Sequence, residues 1–346
     1  MCFYFLLTKF FFMPKLELNL DKAKEEIAER KAKLVLVQLP EGLKQRITAI
    51  IEELSSKETE VIAVADPCFG ACDLAIDKMK QLKADLLIHL GHSPIIESRN
   101  ALHIPLHYKL NEEELKELVK KLVKGLNKNK FKKVGLCTTI QYSNYLDKIK
   151  KELEKEEFTV FIGKGSGRVA EKGQVLGCSY SVIKEIAPNI DAAVFFGDGL
   201  FHPLGLTFAI EKPVIFANVV EGKLVDLSKE RNLFLKKRFA AIAKAKEAER
   251  FAIIISTKPG QRRKQKALEL KKLLEFKGKK GYLFAVDFVK EEYFTGVPID
   301  CFVCTACPRI AIDDSAKWKK PLINPVELEI AFGERKWEEF KLEELL

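Results

Sequence analysis

Three cysteines stand where thiol chemistry could be done. Cys72 lies in ADPCFGACDLAIDKM, Cys178 in EKGQVLGCSYSVIKEI and Cys307 in FVCTACPRIAIDD. Cys72 and Cys178 sit at Gly-containing turns just ahead of helical patterns, and Cys307 closes an apolar run. A helix amino terminus favours an ionised thiol, and the thiolate is the form that binds metal. Gly70 and Gly177 would let the backbone approach a bulky inorganic group closely. Three thiolates meeting at one point would hold an oxygen-sensitive [4Fe–4S] cube and leave one iron open, which suits catalysis. A closed zinc site would want a fourth ligand.

The other cysteines read differently. Cys301, Cys304 and Cys307 form C-x2-C-x2-C, the spacing of a ferredoxin-type run. Cys301 and Cys304, however, fall inside a strand pattern. At ~3.3 Å per residue Cys301 would lie about 20 Å from Cys307 and Cys304 about 10 Å, too far for one cluster unless the strand ends early, and both read as buried apolar residues. Cys137 reads as core, and Cys2 lies in an apolar leader. Cys68 forms C-x3-C with Cys72 and stays open as a metal ligand.

The elements that must position these residues repeat three times. Asp85 begins DLLIHLGH, Asp191 begins DAAVFFGD and Asp300 begins DCFVCTAC, which puts His92, Asp198 and Cys307 at one offset. A second run built on Pro105, Pro213 or Pro321 follows at a nearly constant distance. Upstream, each copy opens with an apolar run, a polar turn, a helical pattern and a further apolar run. Continuous apolar runs alternating with amphipathic helices predict parallel strands covered on both faces. The expected fold class is α/β: three similar modules, each a small parallel sheet of about four strands with flanking helices. The expected boundaries are a leader at 1–13, a Cys72 module at 14–127, a Cys178 module at 128–233 and a Cys307 module at 234–346. Functional groups in such sheets lie beyond the carboxyl ends of the strands.

Bulk composition bounds the function classes. The chain has 346 residues, 47% hydrophobic and 31% charged, an ordinary folding composition. Eight cysteines are too few for a secreted disulfide scaffold and suit a reducing cytoplasm. The net charge of +10 is spread over intermixed Lys and Glu, as on an ion-paired, heat-adapted surface. No basic block is interleaved with aromatics, so no direct nucleic-acid partner is expected. The opening MCFYFLLTKFFF lacks a basic start and a small-residue cleavage site and is too short for a bilayer. Met13 followed by PKLEL reads as the true beginning, downstream of a mis-called start. No membrane span is expected.

Taken together, FGACD at Cys72, GQVLGCSYS at Cys178, FFGDGLFHPLG from Phe195, STKPGQRR from Ser256 and TACPRIAIDD from Thr305 give the chain its resemblance. It resembles the archaeal diphthamide-biosynthesis enzymes, the 2-(3-amino-3-carboxypropyl)histidine synthases, over essentially everything after the leader. The resemblance implies a homodimer whose three domains surround a central [4Fe–4S] cluster in pseudo-threefold symmetry. It implies S-adenosylmethionine near the open iron, cleavage from sulfur to the γ-carbon, and methylthioadenosine as by-product. The 3-amino-3-carboxypropyl radical would add to the imidazole C2 of a histidine in translation elongation factor 2, with the electron coming from an unidentified donor. The cofactor carries the hard step and the protein binds and orients, so the cluster iron is the expected catalyst and no side-chain acid or base is assigned. Candidate contacts for the substrate's carboxylate are Arg309 and the Lys258, Gln261 and Arg262 turn. Gln174 near Cys178, Asp198 at the position equivalent to Cys307, and His202 in the same loop complete the expected cofactor site. Asp313 and Asp314 are candidates to hold Arg309.

Two rival readings remain at this level. One is another open-iron [4Fe–4S] enzyme on three modules, such as a quinolinate-synthase-like enzyme or the isoprenoid-pathway diphosphate reductase. Either would want a phosphate cradle, for which GKGSGR at Gly163 is the nearest segment. The other is a metal-stabilised RNA- or ribosome-binding protein.

Overall fold

Apolar runs of four to seven residues form the central strands of three sheets in the computed structural model, which describes residues 15–345. Cys2 and the expected leader lie outside the described residues. The first sheet orders its strands Glu60–Ala63, Leu34–Gln38, Leu86–Gly91 and Ala101–Pro105. The second runs Thr159–Phe161, Lys133–Thr138, Ala192–Gly197 and Val214–Asn218, with Lys223–Val225 added antiparallel at the edge. The third runs Lys280–Val286, Arg250–Ser256, Cys301–Cys304 and Leu322–Ile323. In each of these three sheets the first four strands, counted along the chain, stand in the order second, first, third, fourth. The central pairings are parallel.

The repeat extends to its polar anchors. Asp85 Oδ2 accepts the backbone N–H groups of Lys33 and Leu34 at 2.8 and 2.9 Å. Asp191 Oδ2 accepts those of Lys132 and Lys133, both at 2.8 Å, and Asp300 Oδ2 accepts that of Arg250 at 2.9 Å. Each carboxylate thus ties the start of a third strand to the start of its first strand, satisfying N–H groups that no ladder reaches. After each first strand the chain makes a 3-10 turn, Glu41–Arg46, Ile140–Tyr145 or Pro259–Gln261. A helix then crosses back: Ile47–Leu54, Leu146–Lys155 or Lys264–Phe276. The third strands Leu86–Gly91, Ala192–Gly197 and Cys301–Cys304 are buried along their whole length, as parallel strands covered on both faces must be.

Packing divides the chain into two compact units. Among the described residues, one holds those up to Asn19, Pro105–Leu176 and Tyr180–Lys229; the other holds Leu20–Ile104, Gly177–Ser179 and those from Glu230. The second sheet builds the first unit. Its core takes Val134, Ile149, Leu153 and Val194 together with Leu115, Leu118, Leu122 and Leu126 from helix Glu112–Lys128. That helix starts on Asn111, whose side chain accepts from Glu113 N and Glu114 N. The first and third sheets belong to the second unit. There helix Ser228–Glu247, within which the expected boundary at Leu233 falls, buries Arg238 against Glu327. Cys301 and Cys304 lie in the cores of the third sheet, and Cys137 in a core of the second, as expected for apolar cysteines. Among the described residues no helix is long and apolar enough to cross a membrane, and no cysteine is in a disulfide.

Candidate metal centre

Cys72 follows the strand Glu60–Ala63 by a loop and sits in the 3-10 turn Ala71–Asp73, closed by Asp73 N donating to Gly70 O at 2.9 Å. Cys307 follows the strand Cys301–Cys304 and caps the short helix Pro308–Asp313, with proline where the missing N–H costs nothing. Cys178 lies in the turn Gly177–Ser179, which packs with the unit that carries the other two cysteines although the residues flanking it do not. Within that unit its carbonyl accepts from Leu345 N at 2.8 Å. The three cysteines are each half-buried. They share one electrostatic neighbourhood: the Cys307 thiol is pushed above the ordinary range, first by burial and then by Cys72, Cys178 and Cys304. Burial beside other thiols outweighs the one short helix that Cys307 caps. A cluster of thiols that repel one another as thiolates is the donor set an iron–sulfur cube requires.

The turn Lys258–Arg262 is pressed against Cys72. A Cβ on Gly260 would meet the Cys72 Cα at 2.6 Å, so only glycine allows this approach. Gln261, itself buried, donates from Nε2 to Cys72 Sγ at 3.4 Å. Lys258 is buried, paired with Asp73, and its ammonium lies 4.1 Å from the Phe288 ring centre. Cys72, Cys307, Lys258, Gln261, Arg309 and Phe288 face a pocket of about 410 Å³, within the usual range for small-molecule sites.

The remaining expected residues are placed as follows. Arg309 Nε donates to Asp313 Oδ2 at 2.8 Å, so Asp313 holds it, while Asp314 pairs with Lys317. Arg262 Nη2 donates to its own loop at Thr257 O, 2.8 Å away. Gln174, Asp198 and His202 belong to the other compact unit. There Gln174 Oε1 accepts from Ala170 N and Glu171 N at 3.3 and 3.2 Å, pinning its loop. Asp198 accepts from the Tyr142 hydroxyl at 3.1 Å, and burial raises its carboxyl above the ordinary value. His202 stacks on Phe195, with ring centres 6.2 Å apart.

The strand ends at Cys304 and the chain turns at once, which brings the Cys304 sulfur 4.0 Å from the Cys307 carbonyl oxygen; this is the early strand end under which the extrapolated spacing no longer applies. Gly70 also proves less demanding than expected, since a Cβ there would meet Cys72 Sγ at an ordinary 3.5 Å. Gly260, Asp73 and Phe288 were missed as neighbours of the site; the only sequence signal was the quoted STKPGQRR and FGACD segments. The GKGSGR segment makes no phosphate cradle. Gly165 N already donates to the Glu185 carboxylate at 2.8 Å, and Ser166 N donates to Ser181 Oγ at 3.0 Å.

The family model described as "Putative diphthamide synthesis protein" matches residues 39–341. The chain is 37% identical to the 2-(3-amino-3-carboxypropyl)histidine synthase of Pyrococcus horikoshii over 325 residues, covering 93% of this chain and 92% of that protein. It is 31% identical to the synthase of the same name from Methanocaldococcus jannaschii, covering 86% and 83% of the two chains. Its fold is similar to the crystal structure of Dph2 from Pyrococcus horikoshii with a 4Fe-4S cluster. That match has a TM-score of 0.87 and 33% identity, over 96% of this chain and 95% of that one.

Proposed function

The chain belongs to the diphthamide synthesis protein family, and on that premise we propose that it catalyses the first step of diphthamide biosynthesis. In that reaction the 3-amino-3-carboxypropyl group of S-adenosylmethionine passes to the imidazole C2 of a histidine in translation elongation factor 2. A C–S bond of the sulfonium breaks, a C–C bond forms at the imidazole, the C2 hydrogen departs as a proton, and methylthioadenosine is the by-product. The relatives named above carry this activity in their names, and the similar solved structure carries a 4Fe-4S cluster. One observation supports the reading most: the segment Gly177–Ser179 groups with the unit of Cys72 and Cys307, so all three thiols have one neighbourhood.

Cys72, Cys178 and Cys307 would hold the cluster. When bound, the cluster supplies the electron that breaks the bond from sulfur to the γ-carbon. The protein's own residues orient and exclude water. Gln261 aims an amide N–H at Cys72 Sγ, which steadies a thiolate there. Arg309 is oriented by Asp313 at the pocket, where a guanidinium suits the carboxylate of the amino-acid moiety. Lys258 is committed to Asp73, so it fixes the base of the pocket, with Phe288 beside it as an apolar wall. Gln174, Asp198, His202 and Arg262 stand as further candidates for cofactor contacts. A homodimer, an unidentified electron donor and a reducing cytoplasm complete the proposal.

The test is anaerobic incubation of cluster-loaded protein with archaeal elongation factor 2, dithionite and S-adenosylmethionine labelled in its carboxypropyl chain. Label in the factor and an equal amount of methylthioadenosine are expected. An intact, reduced cluster with no label transferred would contradict the assignment.

A further inference from the structure

Cys68 has neighbours that no part of the proposed reaction uses. Its ligand atom and those of His89 and His92 all lie within 4.8 Å of one another. Cys68 and His89 are fully buried, and His92 is half-buried. His103 adds a third ring, with its centre 5.2 Å from that of His89. Both nitrogens of His103 are buried, with no hydrogen-bond partner among the described residues. Two of the chain's five histidines therefore converge beside one thiol, and a third packs against His89.

The tautomer of His89 is fixed by a buried amide. Gln38 Nε2 donates to Asp73 O at 2.6 Å, and Gln38 Oε1 accepts from Ala75 N at 3.0 Å, which sets the amide's orientation. His89 Nδ1 lies 3.0 Å from that same Oε1 and must carry the proton that it donates. The lone pair of His89 then sits on Nε2, the atom 3.0 Å from His92 Nδ1. An imidazole whose outer nitrogen is tied by a hydrogen bond, and whose inner nitrogen faces other donors, is the arrangement of a metal-bound histidine. Burial disfavours the charged form of both rings, and a ligating imidazole must be neutral. One thiolate with imidazoles suits a borderline-soft cation that prefers tetrahedral coordination.

We propose that Cys68, His89 and His92 form a second metal site that takes a zinc ion, apart from the centre built on Cys72, Cys178 and Cys307. Binding forms one Zn–S and two Zn–N bonds and releases the Cys68 thiol proton to solvent. A fourth coordination position remains for water or for His103. Cys68 lies four residues ahead of Cys72, whereas His89 lies within the strand Leu86–Gly91 and His92 just past its end. The ion would therefore pin the loop that presents Cys72 to the sheet beneath it. This site stands whether or not the proposed transfer reaction does.

The test uses the full-length, cluster-loaded protein, equilibrated anaerobically with one equivalent of zinc sulfate and desalted. Iron and zinc are counted together by mass spectrometry, and the zinc K-edge absorption spectrum is recorded. About one zinc per chain is expected, with a shell of one sulfur near ~2.3 Å and nitrogens near ~2.0 Å. Cys68→Ser and His92→Gln should each lower retained zinc about tenfold while iron per chain stays at the wild-type level. His92 is the more exposed ligand, so its variant keeps the test decisive if Cys68→Ser fails to fold. Retained zinc below about a tenth of an equivalent in the wild type would overturn the proposal. So would zinc kept in full by His92→Gln, or a zinc shell of several sulfurs without nitrogen.

Discussion

Gly260 and Cys72 lie so close that a methyl group on Gly260 would come within 2.7 Å of the Cys72 Cβ and 2.8 Å of its carbonyl oxygen. The clash is with backbone, not with the end of a flexible side chain, so the turn must move. Gly260→Ala is expected to lower iron per chain several-fold while far-UV circular dichroism stays unchanged. Iron analysis after anaerobic reconstitution checks this; full iron in the variant would show that the turn can shift without cost to Cys72.

Arg238 and Glu327 form a buried, two-pronged ion pair, with Nε and Nη2 each 2.5 Å from a carboxylate oxygen. Arg238 Nη1 also donates to Ala311 O at 2.7 Å, in the helix that begins at Cys307. Removing one partner leaves a charge stranded in the core, at a cost of about 3–5 kcal/mol. Arg238→Met should lose that much in urea unfolding, and the double change Arg238→Met, Glu327→Leu should regain most of it. A single-variant loss below about 1 kcal/mol would contradict the reading.

The carboxylates that anchor the strands set an acid limit. The backbone N–H groups of Lys133 and Lys132 hold Asp191 below its ordinary value, and the Arg250 side chain does the same for Asp300. A depressed folded value means that the stabilisation is complete above the unfolded pKa of about 4 and is lost as pH falls through the folded value. Both groups are half-buried and reached by solvent, so the effect is modest. The urea midpoint of the wild type should fall more steeply between about pH 4 and pH 2 than that of Asp191→Asn, Asp300→Asn. Parallel pH profiles for the two proteins would contradict this.

Much of this fold is legible in the sequence because apolar runs and helical patterns are local signals. The Asp85, Asp191 and Asp300 anchors are visible as a shared offset, and their hydrogen bonds explain why that offset recurs. What stays hidden is juxtaposition across long stretches of chain. Nothing near Gly260 in sequence announces Cys72, and nothing near Cys68 announces His89. An apolar run does not say where its strand ends, so the turn that brings Cys304 toward the Cys307 carbonyl could be left open but not placed from sequence. Lys258 and Arg262 read as cations awaiting an anion, yet Asp73 and the Thr257 carbonyl already engage them.

The account rests on three particular sulfur atoms holding one cluster, and the most direct measurement is iron per chain in single-cysteine variants. Cys72→Ala, Cys178→Ala and Cys307→Ala, reconstituted anaerobically, should each retain less than about half of the wild-type iron and lose its brown chromophore. Cys68→Ala should keep both. Full iron in any of the first three, or iron lost only in Cys68→Ala, would contradict the account.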